Sequence, residues 1–335
     1  MRIAALAAAL AFTGAAAAQD LVEVRYANDW KWEGPAAPFL LALERGYYEE
    51  EGLDVAMDTG QGSREAIPRV ASGAYDMGFA DINSLIRFKD QNPDIDVKAV
   101  FMVYDKPPFA IIGRRSLGVS EPKDLEGRTL GAPAPDGAYA QWNAFVEAAG
   151  IDPSKVTIEN VGFPVREPML VQGEVDAVTG FSFSSFLNLK GAGVPEEDIS
   201  VILMADHGLE LYGNAVIVNP GFAEAHPEAV TGFIEATLRG LREVIADPEA
   251  GVEAVLAHND VAREEIERER LEMALAQNLL TPAVREHGFG GVDMERLARS
   301  IDQIALTFDF DGEPPAPEEV FDPSFLPPQE ERMIE

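Results

Sequence analysis

An α/β fold is predicted by three features of this chain. Short apolar runs alternate with stretches of helical spacing along its first two thirds. The alternation restarts in the middle of the chain with the same order of parts. The last third is mostly helical in pattern. The alternation predicts a mostly parallel sheet in which each strand is followed by a helix.

The elements follow in order. "LVEVRYAN" alternates apolar and polar residues and reads as the first strand. "APFLLALERGYYEEEG" reads as a helix with Pro35 or Pro38 near its start and Gly46 near its end. "LDVAMDTG" is the next strand, and "SREAIPRVASG" a helix that Ser63 is placed to cap. "YDMGFAD", "INSLIRFKDQNP" and "VKAVFMVYD" then read as strand, helix and strand.

The second round begins at "PFAIIGRRS", a strand, followed by a turn and a strand in "EPKDLEGRTLGAPA". "GAYAQWNAFVEAAGI" is a helix ended by Gly150. "KVTIENVG", "VREPMLVQGEV", "DAVTGF", "SSFLNLKGAGV" and "DISVILMADHG" continue as strand, helix, strand, helix and strand, and "LYGNAVIVNP" is one further strand. From His226 onward, apolar residues recur at helical spacing through Val230, Phe233, Ile234, Leu238, Leu241 and Ile245. Residues 313–335 are rich in proline and acid and read as an extended tail.

An internal similarity accompanies the restart. "IPRVASGAYDMGFADINSLI" and "EPMLVQGEVDAVTGFSFSSFL" share a helix tail, a Gly-x-x-Asp turn, a short strand, a polar loop and a new helix. Asp76 and Asp176 occupy equivalent places. The repeat favours two lobes built alike over two unrelated helix-to-strand turns.

The first residues carry Arg2, an apolar run from Ile3 to Phe12, and the small residues Ala16, Ala17 and Ala18. This is the pattern of a secretory signal peptide over residues 1–18, cleaved near Ala18. No later segment has the ~20 consecutive apolar residues of a membrane span. Among 335 residues there is no cysteine, which excludes a disulfide framework, a thiol nucleophile and Cys-ligated zinc. The 58 acidic residues against 26 basic ones argue against binding nucleic acid or anionic lipid, which needs clustered Lys and Arg. The expected compartment is the periplasm, and the expected state a monomer.

Four motifs, "DWKWEGPAAPFLLALERGYYEEEGLDV", "IPRVASGAYDMGFAD", "DLEGRTLGAP" and "MLVQGEVDAV", in that order, resemble the thiamine-precursor and sulfonate branch of periplasmic substrate-binding proteins. That branch includes taurine, alkanesulfonate, riboflavin and formyl-aminopyrimidine receptors of ABC importers, and yeast-type pyrimidine precursor synthases. The resemblance implies a type II periplasmic binding protein fold, two α/β lobes with a ligand cleft between them. It implies one lobe from residues 19–108 plus 213–312 and a second from 109–212, with crossings near "YDKPPFAI" and "LYGNAVI". It also implies a partner, the permease subunits of an ABC transporter.

In open α/β sheets, ligands sit beyond the carboxyl ends of strands. Five loops qualify: "NDWKWEG", "GQGSRE", "ADINS", "APAPDGAYAQW" and "TGFSFSS". From them come the candidate ligand-binding residues Asp29, Trp30, Trp32, Glu33, Ser63, Arg64, Asp81, Asn83, Asp136, Tyr139, Phe181 and Ser182. Trp30 is the expected stacking shelf, whereas Trp32 divides evenly between cleft and core. Asp81 and Asp136 fit helix caps as well as ligand contacts. Trp142 and Phe183 also fall in these loops, and Arg166 joins Arg64 as a basic candidate. Rings and acids outnumber bases, which tilts the ligand toward a neutral or cationic nitrogen heterocycle such as a pyrimidine precursor. An organosulfonate is the alternative.

No catalytic grouping appears. Gly-x-Ser-x-Gly, P-loop, His-Glu-x-x-His and EF-hand patterns are absent from the sequence. His207, His226, His258 and His287 lack partners at metal-ligand spacing, so no metal or cofactor is expected. The synthases resemble this chain but carry an active-site His and a Cys-rich segment as family traits. Here "NDWKWEG" offers Lys31 without a His, and Cys is absent, so the expectation is a binding protein and not an enzyme.

Overall fold

The computed structural model describes residues 21–310 and 312–334. The expected signal peptide lies outside them. Among the described residues, no helix is long and apolar enough to cross a membrane.

Among the described residues, ten strands form two five-stranded sheets. The first sheet takes β1 (Val22–Ala27), β2 (Leu53–Asp58), β3 (Met77–Asp81), β4 (Lys98–Met102) and β10 (Asn214–Val218), in the order β2-β1-β3-β10-β4. The second takes β5 (Phe109–Arg114), β6 (Thr129–Gly131), β7 (Thr157–Glu159), β8 (Ala177–Phe181) and β9 (Ile199–Leu203), in the order β7-β6-β8-β5-β9. The two orders are the same pattern. In each, three parallel strands are joined by a strand that arrives from the other lobe and pairs antiparallel to both neighbours. The sheets are therefore mixed, with β10 and β5 as the reversed strands, where the alternating sequence predicted mostly parallel pairing.

The Gly-x-x-Asp repeat has a structural cause. The Asp76 carboxylate accepts the Arg25 amide of β1 at 2.8 Å, and the Asp76 amide donates to the Arg25 carbonyl. The Asp176 carboxylate accepts the Thr129 amide of β6 at 2.8 Å, and its own amide donates to the Thr129 carbonyl. In both lobes the Asp pins the third strand to the first. The preceding glycines, Gly73 and Gly173, have φ of 75° and 74°, which favours glycine at the helix end.

The helices that position the site are α1 (Ala37–Glu44), α2 (Ser63–Ala71), α3 (Ile82–Gln91), α4 (Trp142–Ala148), α5 (Phe163–Gln172), α6 (Ser182–Gly191), α7 (Pro227–Ala246), α8 (Pro248–His258), α9 (Glu264–Ala274) and α10 (Met294–Phe308). α1 ends where Gly46 turns the chain at φ 71°, so the predicted single helix through the Tyr pair is two. α7 and α8 pack α1 onto the first sheet around Tyr26, Phe39, Tyr48 and Phe233. The crossings from β4 to β5 and from β9 to β10 run side by side: the Gly213 amide donates to the Tyr104 carbonyl at 2.9 Å.

The expected extended tail is packed. Val320 and Phe321 are fully buried, Phe321 bridges Ala99, and the Asp322 amide donates to the Ala99 carbonyl at 2.9 Å. Proline and acid set the tail's composition, but Val320 and Phe321 supply an anchor.

Candidate functional site

Loops at the carboxyl ends of strands from both sheets meet at one cleft of about 660 Å³, counted out to its mouth. Its apolar surface is aromatic. Tyr104 stands edge-on to Phe79 at 5.5 Å and to Phe183 at 6.0 Å, and Phe181 and Phe183 cross at 5.9 Å between ring centres. Trp30, from the first lobe, meets Phe163, from the second, edge to face at 4.6 Å. The Trp30 indole Nε1 is buried with no hydrogen-bond partner among the described residues. A buried N–H of this kind is satisfied by an acceptor brought by something else.

The polar groups are unequally paired. Arg166, buried at the start of α5, lies 2.6 Å from Glu167 and 3.6 Å from Asp136. Burial opposes its charge, but Glu167 and Asp136 outweigh that and hold the guanidinium above its ordinary pKa. Burial likewise pushes Glu33 up, yet Arg270 at 3.3 Å and Lys31 at 3.1 Å more than offset it and hold the carboxyl below its ordinary value.

Asp29 has no such partner. One carboxylate oxygen accepts the Ser63 hydroxyl and the Asn214 amide, each at 2.7 Å. Among the described residues no cation lies within ion-pair distance, and nothing donates to the other oxygen. Burial therefore dominates and pushes the carboxyl up to about 7, against the lowering by Ser63 and Asn214. The cleft presents a carboxyl short of donors, an indole short of an acceptor, and a set of rings.

The sequence profile described as "NMT1/THI5 like" matches residues 35–251, about two thirds of the chain. The chain belongs to this family. Among curated members and relatives, it is 27% identical over 215 residues to the riboflavin-binding protein RibY of Chloroflexus aurantiacus, covering 64% of this chain and 60% of that one. It is 29% identical over 286 residues to the formylaminopyrimidine-binding protein of Halalkalibacterium halodurans, covering 83% and 82%. A 4-amino-5-hydroxymethyl-2-methylpyrimidine phosphate synthase of Aspergillus parasiticus is 24% identical over 263 residues, 76% of each chain. Among solved structures, the periplasmic aliphatic sulphonate binding protein SsuA of Escherichia coli superposes with a TM-score of 0.72 at 12% identity, covering 89% of this chain and 97% of that one. At that identity the likeness shows the fold, and the fold is the expected two-lobed one.

Within this NMT1/THI5-like chain, Asp29, Trp30, Glu33, Ser63, Asp136 and Phe181 line the cleft. The other six candidates are not among its lining residues. Trp32 is buried in the first lobe's core, because the chain leaves the strand at Asn28 and alternation no longer sets which way a ring points. Arg64 is exposed and donates to the Ala134 carbonyl at 2.9 Å. Asp81 caps α3 by accepting the amides of Asn83 and Ser84 at 3.0 and 2.9 Å; its carboxyl, pushed up to about 6 by burial, lies behind the cleft wall. The Asn83 side-chain NH2 donates to Asp81 and to the Tyr212 carbonyl, each at 2.7 Å. Tyr139 packs against the core near the crossings, and Trp142 is part of that core. Ser182 faces a separate groove beside the crossings.

Sequence reasoning missed Tyr104, Phe163 and Ser184 as members of the wall, whereas Arg166, named above as a basic candidate, is part of it. Tyr104 sits in the crossing between β4 and β5, which leads from one sheet strand to another and not into a helix. Phe163 and Ser184 had an available signal. Phe163 opens the helix after β7, a strand-to-helix junction of the same kind as the five that were selected.

Proposed function

We propose that the chain is an extracytoplasmic solute receptor that captures a nitrogen heterocycle, such as a pyrimidine or thiamine precursor, by lobe closure. The observation that carries this reading is Asp29, a buried carboxyl in an aromatic cleft with one oxygen open and no cation beside it. A ring bearing an amino group and a ring nitrogen would stack on the aromatic side chains, donate to Asp29 and accept from the Trp30 indole. A sulfonate would need a free cation or open donors. Arg166 and Lys31, the basic side chains on the wall, are already matched to Asp136, Glu167 and Glu33.

In this reading lobe 1 comprises residues 19–108 with 213–312 and lobe 2 residues 109–212. The ligand touches both, so its affinity for the closed form shifts the balance toward closure. The receptor acts in the periplasm after export and passes its cargo to the permease subunits of an ABC importer. The named receptors among its relatives support that assignment. The absence of Cys from the chain and of His from the loop after β1 supports binding without turnover.

A thermal-shift screen of the mature protein tests it, using 4-amino-5-hydroxymethyl-2-methylpyrimidine, formylaminopyrimidine, riboflavin and taurine. Aminopyrimidines are expected to raise the melting temperature by several degrees at about a hundred-fold excess over Kd. A shift with taurine alone overturns the heterocycle reading. Conversion of any pyrimidine or amino-acid precursor by the isolated protein overturns the receptor reading.

A further inference from the structure

Glu33 is held in the cleft wall by residues far away in sequence. Arg270, on α9, is 2% exposed. Its Nη1 donates to both oxygens of Glu267 at 2.6 and 2.7 Å and lies 3.3 Å from Glu33. Its Nη2 donates to the Asn188 side-chain oxygen at 3.0 Å. Asn188 belongs to α6, on the second lobe, and so does Ser184, whose hydroxyl donates to Glu33 at 2.7 Å. Lys190, in the last turn of the same helix, pairs with Glu269 of α9 at 2.7 Å.

Three lobe-to-lobe polar contacts thus fall on one helix, and two of them end on the linked pair Glu33 and Arg270. Rotating the second lobe away removes Ser184 from Glu33 and Asn188 from Arg270 together. Each loses a charge-assisted hydrogen bond made inside the protein, which is stronger than a neutral one. The half-buried Lys190–Glu269 pair, open to solvent on one side, adds little by itself.

We propose that Arg270 is a positioning residue that latches the two lobes: it fixes Glu33 in the cleft wall and engages lobe 2 through Asn188, so that the closed form is favoured by protein contacts as well as by ligand. This rests on the closure reading above, but it fails separately from it. The latch makes the cleft complete only when the second lobe is docked. It also lowers the share of ligand affinity needed to drive closure.

The test uses ligand-free mature protein and needs no knowledge of the ligand. The chain has no cysteine, so Asp54→Cys and Thr157→Cys, on the exposed edge strands β2 and β7, take two spin labels cleanly. Pulsed electron–electron resonance then gives the distribution of lobe-to-lobe distances. The variant is Ser184→Ala with Asn188→Ala, which leaves Arg270, Glu33 and Glu267 in place. The open-to-closed ratio is expected to rise roughly ten-fold, the effect of losing two hydrogen bonds to charged groups partly replaced by water. Lys190→Met alone is expected to change it less than about two-fold.

Circular dichroism melting checks that each variant is folded. A second pair of variants separates positioning from bulk packing: Arg270→Lys keeps a charge on Glu33 and should retain part of the closed population that Arg270→Met loses. A distance distribution unchanged by the double variant, whether mostly open or mostly closed, overturns the latch. If that happens while aminopyrimidines still raise the melting temperature, only the latch falls and the receptor reading stands.

Discussion

Asp29 links stability to the binding role proposed for it. Its ordinary carboxyl value of 3.8 applies in the unfolded chain, and burial raises it to about 7 in the fold. Between those values the folded protein holds a proton that the unfolded chain has released. Stability from this group is therefore full below about pH 4, declines as pH rises to about 7, and is level above. Asp81, raised to about 6 by burial, adds to the same slope. Asp29→Asn keeps an oxygen to accept from Ser63 while removing the charge. The variant is expected to match wild type in urea unfolding at pH 4 and to exceed it at pH 8 by on the order of 1–3 kcal/mol. It should at the same time lose at least ten-fold in affinity for an aminopyrimidine if, as proposed, the open oxygen accepts from the ligand. A variant no more stable at pH 8 would mean that water or a counter-ion already relieves Asp29.

At the scale of elements, β4 shows how an exposed sheet edge is covered. It lies at the end of the first sheet, and an uncovered edge strand invites pairing with other chains. Two segments cover it: the Met102 amide donates to the Gly290 carbonyl at 2.9 Å, and Phe321 bridges Ala99. Phe321→Ala is expected to cost about 3–5 kcal/mol by removing a fully buried ring. It should also make the protein associate with itself on light scattering, an outcome that a cavity alone does not produce. The tail's role was illegible in the sequence because composition reports the whole segment, whereas docking depends on Val320 and Phe321. The Gly-x-x-Asp repeat was legible because its hydrogen bonds join adjacent strands in the same way in each lobe. The cleft stood between these cases. Asp29, Trp30 and Glu33 follow directly from the strand-end rule, whereas Arg270 reaches Glu33 from 237 residues away and only the folded chain brings them together.

The whole molecule is divided by its cleft but joined behind it. The buried core near the crossings includes Ile82 and Ile217 of the first lobe with Phe109, Leu130 and Phe145 of the second, in one continuous cluster. Lobe 2 is also inserted within lobe 1, so the first sheet cannot close around β10 until the chain has returned through both crossings. Unfolding lobe 2 alone would therefore leave a long open loop across the first sheet and strip apolar side chains from the shared core. These two costs argue that the lobes unfold together. Calorimetry is expected to give one transition with calorimetric and van't Hoff enthalpies in agreement. Phe109 tests the point, because it is fully buried at the start of β5, 5.7 Å from Phe181. Phe109→Ala should lower that single transition as a unit, by the equivalent of about 3–5 kcal/mol. A second peak in wild type or variant would show that the cluster behind the cleft does not couple the lobes, and would place their cooperativity in the contacts across the cleft instead.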